Sequence, residues 1–185
     1  MLHTRYVEII LLCLLSLLFL LQAHIVSDIH VSMICSFLTW MTVVGGNGIA
    51  PLIPSSGTIA HLPNTIMYIS SLFVLIGSQA AIHTPPSCRP GNQAALLCLC
   101  VSRSVLFVFL LLYSTGQLLP LNDVLVLCTF AIFSFSAAYV TVYTYSIPAS
   151  IVSPTPRAQA SCSLWINISL NFGIYLGMMI PFAMK

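Results

Sequence analysis

The hydrophobic residues of this chain form long uninterrupted runs, with few polar positions between them. Residues 9–21, for example, are apolar except for Ser16. A bilayer core about 30 Å thick requires about 20 such residues in one helix. A membrane β-strand would instead alternate between apolar and polar residues. The pattern therefore predicts an all-α, polytopic bundle of membrane-spanning helices.

About six stretches are long enough to cross a bilayer, and they leave little sequence for any other domain. The predicted spans cover residues 7–26, 31–52, 64–83, 95–115, 124–147 and 161–183. The fourth span could also be shifted towards 102–120. Arg5 before an apolar run leaves open a signal peptide at residues 1–26, but no clear A-x-A cleavage site follows, which favours a helix. We treat residues 1–185 as a single transmembrane domain.

The composition supports a membrane protein without catalytic chemistry. Hydrophobic residues make up 59% of the chain and charged residues 4%, whereas about a quarter of a soluble domain is charged. The net charge of +2 forms no basic patch, so we expect the lipid bilayer, and not nucleic acid, as a partner. The cysteines and histidines lack metal or disulfide spacing, and no catalytic motif is present. We therefore predict neither a cofactor nor an enzyme.

The few cations predict an orientation in the membrane. Cytoplasmic loops carry an excess of Lys and Arg. Arg89, Arg103 and Arg157 fall on one side of a six-span topology, and Arg5 and Lys185 fall on the other. This count places both termini outside. It assigns Arg103 to the edge of the fourth span; as an intramembrane charge, the same residue would be a candidate for a functional site.

Polar and aromatic side chains within the apolar spans are the candidates for contact with a solute. Ser163, Asn167 and Asn171 repeat every four residues, so they share one face of a helix. Such a stripe could bind either a solute or a neighbouring helix. Tyr139 and Tyr143 could likewise stack on a planar solute or serve packing. The substrate-binding candidates are Asn47, Tyr139, Tyr143, Asn167 and Asn171.

Glycine, proline and acidic residues predict local features of the helices. Gly173 and Gly177 form a G-x-x-x-G pair, which allows another helix to pack closely. Residues 45–54 contain three glycines and two prolines, which predicts either a helix break or the close approach of a neighbour. Asp123, together with Asn122, is predicted to cap the fifth span.

Several segments resemble the second half of the riboflavin transporter family of solute carriers. The resemblance rests on Asn47-Gly48 followed by Pro54-Ser55, on residues 102–107, on Phe133-Ser134 with residues 138–142, and on residues 153–181. It implies a carrier of the plasma membrane that moves riboflavin or a similar planar, largely uncharged solute by alternating access. It also implies that the chain corresponds to the C-terminal half of a major-facilitator-like fold.

The resemblance has departures, and other interpretations stay open. The family's long connection before its seventh helix corresponds here to the short link at residues 27–30. Its first five helices have no counterpart, so a second copy or a missing N-terminal half would have to close the solute cavity. Nucleoside transporters and the battenin family have a similar late arginine loop and a glycine-containing last helix. A non-transporting membrane assembly subunit is the alternative of a different class.

Overall fold

The structure of the protein is a helical bundle. The computed structural model describes residues 28–85, 93–117, 122–151 and 156–184. Within these ranges the helices are α1 (Asp28–Ile49), α2 (Leu62–His83), α3 (Gln93–Ser114), α4 (Asp123–Ile151) and α5 (Pro156–Ala183), and a short 3-10 turn covers Ala50–Leu52. The predicted all-α bundle is confirmed. The predicted span 7–26 lies outside the described residues, as do residues 86–92 of the link between the predicted spans 64–83 and 95–115.

The five described helices correspond to the last five of the six predicted spans, but α4 and α5 are longer than expected. The sequence predicts a loop at residues 148–160, because this stretch contains three prolines. Instead, α4 continues through Pro148 to Ile151, and α5 already begins at Pro156. Proline is well tolerated in the first turn of a helix, where its missing N–H would have no partner. Pro156 therefore starts a helix here.

The described helices divide into central and peripheral members of the bundle. All five contain a segment long and apolar enough to cross a bilayer. The bundle buries 56% of that segment in α1 and 50% in α4, but only 17% to 28% of it in α2, α3 and α5. The most extensive pairings join α5 to α1 and α2 to α4, and α3 packs against both central helices. Thus α1 and α4 form the core, and the other three helices surround it.

The packing of α5 on α1 depends on two glycines. A Cβ atom added to Gly173 would overlap the carbonyl oxygen of Phe37, and one added to Gly177 would lie 2.5 Å from the carbonyl oxygen of Met41. Backbone atoms cannot move aside as a flexible side chain can. The structure therefore places both residues of the G-x-x-x-G pair at the contact between α5 and α1.

The glycine cluster near the end of α1 allows close packing without breaking the helix. The helix continues through residues 45–48 to Ile49 and then tightens into the 3-10 turn. An added Cβ on Gly48 would overlap Pro181 of α5, and one on Gly46 would lie 3.0 Å from the Phe133 ring of α4. Of the two predicted outcomes, the structure shows the close approach of neighbours.

Candidate functional site

A buried arginine lies near the middle of α3. Arg103 is only 1% exposed, and α3 extends from Gln93 to Ser114. The prediction that Arg103 lies at the edge of its span is wrong. It depended on a helix that begins near residue 102, whereas α3 begins about three turns before Arg103. About one turn before it on α3, Cys100 belongs to one buried apolar cluster, and about one turn after it, Phe107 belongs to another.

Neutral groups of α1 and α4 surround part of the Arg103 guanidinium. Its Nη1 donates to the carbonyl oxygen of Thr39 at 3.2 Å and to the hydroxyl of Thr42. That hydroxyl itself donates to the carbonyl oxygen of Leu38 at 2.7 Å, so it can accept from Arg103. The guanidinium carbon lies 4.1 Å from the centroid of the Phe133 ring, which is a cation–π contact.

The other edge of the guanidinium is unpartnered. Nε and Nη2 of Arg103 are buried and donate to none of the described residues. These two N–H groups point in parallel from one edge, the geometry that binds both oxygens of a carboxylate. Among the acidic residues, Asp123 is the one whose side chain is described. It precedes Phe133, the ring that contacts Arg103, by ten residues on α4, which is about 15 Å along a helix. Its carboxylate therefore does not neutralise Arg103.

A cavity of about 430 Å³ lies between α3 and α4, and Arg103 is one of its lining residues. This size is typical of small-molecule sites, which have volumes of about 300–1,000 Å³. The walls are mostly apolar, with polar groups from Arg103, two serines and one tyrosine. The lining residues are Leu99, Ser102, Arg103 and Leu106 of α3, and Ile132, Phe135, Ser136, Tyr139 and Val140 of α4.

Tyr139 and Tyr143, two of the predicted site residues, lie together on α4. Their ring centroids are 5.0 Å apart, and Tyr139 also stacks on Phe135 at 6.2 Å. The Tyr139 hydroxyl donates to the Thr84 hydroxyl at 3.4 Å, and the Tyr143 hydroxyl donates to the Ala81 carbonyl oxygen at 3.0 Å. Both hydroxyls therefore connect α4 to the end of α2. Tyr139 also lines the cavity between α3 and α4.

The predicted polar stripe of α5 is exposed. Ser163, Asn167 and Asn171 are all exposed, whereas Gly173 of the same helix is buried against α1. The Tyr145 hydroxyl donates to Oδ1 of Asn167 at 2.7 Å, and Nδ2 of Asn171 donates to the Asn167 carbonyl oxygen at 2.8 Å. The stripe is thus joined to α4 through Tyr145, a residue that is not among the sequence-predicted candidates.

The predicted site residues fall in three places. Asn167 and Asn171 lie together on α5, and the two tyrosines lie against α2. Asn47 is partly buried on α1 and is not among the residues that line the cavity.

The contacts of Arg103 with Thr39, Thr42 and Phe133 were not predicted from the sequence. The only signal was a pair of threonines three residues apart in α1, which could not show that an arginine of another helix packs against them.

The cap of α4 is Asn122. Its Oδ1 accepts hydrogen bonds from the backbone N–H groups of Val124 and Leu125, at 3.0 and 3.1 Å. The capping role predicted for Asp123 and Asn122 together therefore belongs to Asn122. The carboxylate of Asp123 instead binds the loop at residues 53–61.

The burial of Arg103 also changes the predicted orientation. Because Arg103 lies inside a span, it no longer counts as a loop cation. One side of the predicted topology then carries two cations, Arg89 and Arg157, and the other side also carries two, Arg5 and Lys185. Equal numbers favour neither orientation. The outward placement of both termini therefore loses its support from charge.

The fold and its apolar spans define an integral membrane protein of the helical type. In comparisons with known proteins, no family model, curated protein or solved structure matches the chain. The resemblance to riboflavin transporters therefore rests on short motifs alone. Within the part of the chain that the structure describes, no group of three or more His, Cys, Asp or Glu residues could hold a metal ion.

Proposed function

We propose that the chain is the solute-binding part of a membrane carrier for riboflavin or a similar planar, largely uncharged solute. The observation that carries the proposal is the exposed stripe of Ser163, Asn167 and Asn171 on a membrane-spanning helix. Moving an amide from water to hydrocarbon without a partner costs about 2–7 kcal/mol. Such groups persist in a membrane where they face protein or a water-filled cavity. A solute pathway is a surface of this kind.

The chemistry of the stripe suits a neutral heteroaromatic solute. An amide can both donate and accept hydrogen bonds, as can the edge of a flavin or a nucleobase. The described hydrogen bonds of these side chains use Oδ1 of Asn167 and Nδ2 of Asn171, and none involves the amide nitrogen of Asn167 or the amide oxygen of Asn171. The NH₂ group of Asn167, with two donors, and the amide oxygen of Asn171, an acceptor, thus remain for a solute beside the Tyr145 ring.

A carrier needs a second surface to enclose its solute. The stripe lies on the outside of the bundle, so it covers one side of a pathway only. In this proposal a second copy of the chain supplies the other side, and movement between the two surfaces alternates access. An assembly subunit would instead cover the stripe permanently with a partner helix.

Uptake measurements test this function. We expect cells that express the chain to take up radiolabelled riboflavin, and the Asn167→Ala/Asn171→Ala variant to do so about tenfold more slowly, because two hydrogen bonds of about 0.5–1.5 kcal/mol each are lost. Asn64→Ala is the matched control, since Asn64 is an exposed asparagine at the start of α2. Uridine is the second substrate, because a nucleoside carrier would prefer it.

The alternatives give different results. Uptake of uridine and not riboflavin would replace the proposed substrate. Equal uptake by the double variant and the wild type would remove the stripe from the pathway. Absence of uptake for both solutes, when the protein reaches the membrane in normal amounts, would contradict the carrier and favour the assembly subunit.

A further inference from the structure

We infer that the cavity between α3 and α4 is a separate binding site for a lipophilic monocarboxylate, held by the Nε and Nη2 edge of Arg103. The site is independent of the proposed solute pathway. Its lining residues belong to α3 and α4, whereas the polar stripe belongs to α5.

No acidic side chain that the structure describes compensates the charge of Arg103. The guanidinium stays protonated in proteins, and its partners in the described part of the chain are all neutral: Thr39, Thr42 and Phe133. A buried charge without a counter-charge is strongly unfavourable. Asp123 is too far along α4 to compensate it. A ligand with one negative charge would balance the single buried cation, whereas a dianion would leave an excess charge among apolar walls.

The free edge of Arg103 favours a carboxylate over a single-atom anion. Nε–H and Nη2–H are parallel, and the two oxygens of a carboxylate accept from both at once. The other polar hydrogens around the cavity are already donated. The Ser102 hydroxyl donates to the Leu99 carbonyl oxygen at 2.9 Å, and the Ser136 hydroxyl donates to the Phe133 carbonyl oxygen at 2.9 Å. Arg103 is therefore the group that would hold the ligand.

The walls and the position of the cavity favour an apolar body on that carboxylate. Leu106, Ile132 and Val140 line it. Ile132 is 57% exposed and Leu99 is 39% exposed, so the cavity lies at the outer surface of the bundle, where a membrane protein contacts lipid. A molecule that dissolves in the bilayer can reach it from the side. A fatty acid combines this solubility with a single carboxylate.

The test uses palmitate as the probe and the full chain purified in detergent. Native mass spectrometry should show one bound palmitate, and methyl palmitate should bind at least tenfold more weakly because its ester carries no charge. Arg103→Lys should weaken palmitate binding by a similar factor, since an ammonium group keeps the charge but lacks the two-pronged edge. Equal binding of acid and ester, or unchanged binding by Arg103→Lys, would overturn the inference.

A second pair of variants locates the ligand if Arg103→Lys fails to fold. Ile132→Trp should fill the cavity and weaken palmitate binding at least tenfold. Val124→Trp is the matched control, because Val124 is a branched apolar residue of α4 that is 54% exposed and is not a lining residue. Equal binding by both variants would contradict the site. The Asn167→Ala/Asn171→Ala variant should bind palmitate normally, whether or not it transports riboflavin.

Discussion

The double substitution Gly173→Leu/Gly177→Leu is expected to separate α5 from α1 and to prevent stable folding. A side chain at either position would meet the backbone of Phe37 or Met41. Inserting extra methylene groups into a packed contact costs about 1–3 kcal/mol, and occasionally more. Two leucines at the contact between α5 and α1 would therefore lower the free energy of unfolding by several kcal/mol. The total free energy of unfolding of a domain is only about 5–15 kcal/mol. Thermal unfolding in detergent, followed by circular dichroism, measures the effect.

Ala160→Leu is the control for this prediction. Ala160 is exposed on the same helix, so a leucine there adds apolar bulk without meeting α1, and the melting temperature should stay close to that of the wild type. A wild-type melting temperature for the double glycine variant would show that α5 does not pack on α1 through these residues. The single variants should each lie between the wild type and the double variant.

The membrane helices could be predicted from the sequence because length and apolar character decide them almost alone. In a bilayer, every backbone N–H and C=O needs an internal partner, so an apolar run of sufficient length forms a helix. The ends of the helices are harder to predict from the sequence. Pro148 and Pro156 suggested a loop, but proline also fits inside a membrane helix or in its first turn. The sequence pattern therefore underestimates the lengths of α4 and α5.

The surroundings of Arg103 could not be predicted from the same pattern. A shift of the α3 start by a few turns moves this side chain from the membrane edge to the interior, and the hydrophobic run permits both positions. The partners Thr39 and Phe133 belong to two other helices, and nothing in their own sequence segments identifies them as neighbours of a cation. Similarly, the periodicity of Asn167 and Asn171 predicted a shared face but not the link to Tyr145. Contacts between helices are set by packing, which short-range patterns do not encode.

Asp123 connects the loop after α1 to the start of α4, and we expect its replacement to be strongly destabilising. The side chain is fully buried. Its carboxylate accepts from the Ser55 hydroxyl at 3.0 Å, from the Ser56 N–H at 2.7 Å and from the Ile59 N–H at 3.0 Å. In Asp123→Ala, the two backbone N–H groups lose this acceptor. Ser56 is exposed and Ile59 is only partly buried, so water can solvate the two N–H groups in part. The variant should therefore lose about 1–3 kcal/mol of its free energy of unfolding, the net value of a few hydrogen bonds.

Hydrogen exchange separates a local loss of structure from a general one. In Asp123→Ala, the amides of Ser56 and Ile59 should exchange much faster than in the wild type, while the amides at the middle of α4 change less, because their hydrogen bonds do not involve the carboxylate. Asp123→Asn is the control with nearly the same shape. Its amide keeps one acceptor oxygen but turns a donor towards the N–H groups, so exchange should be intermediate. If the Ser56 and Ile59 amides stay protected in Asp123→Ala, other contacts hold the loop. The prediction that the Asp123 carboxylate holds it would then be wrong.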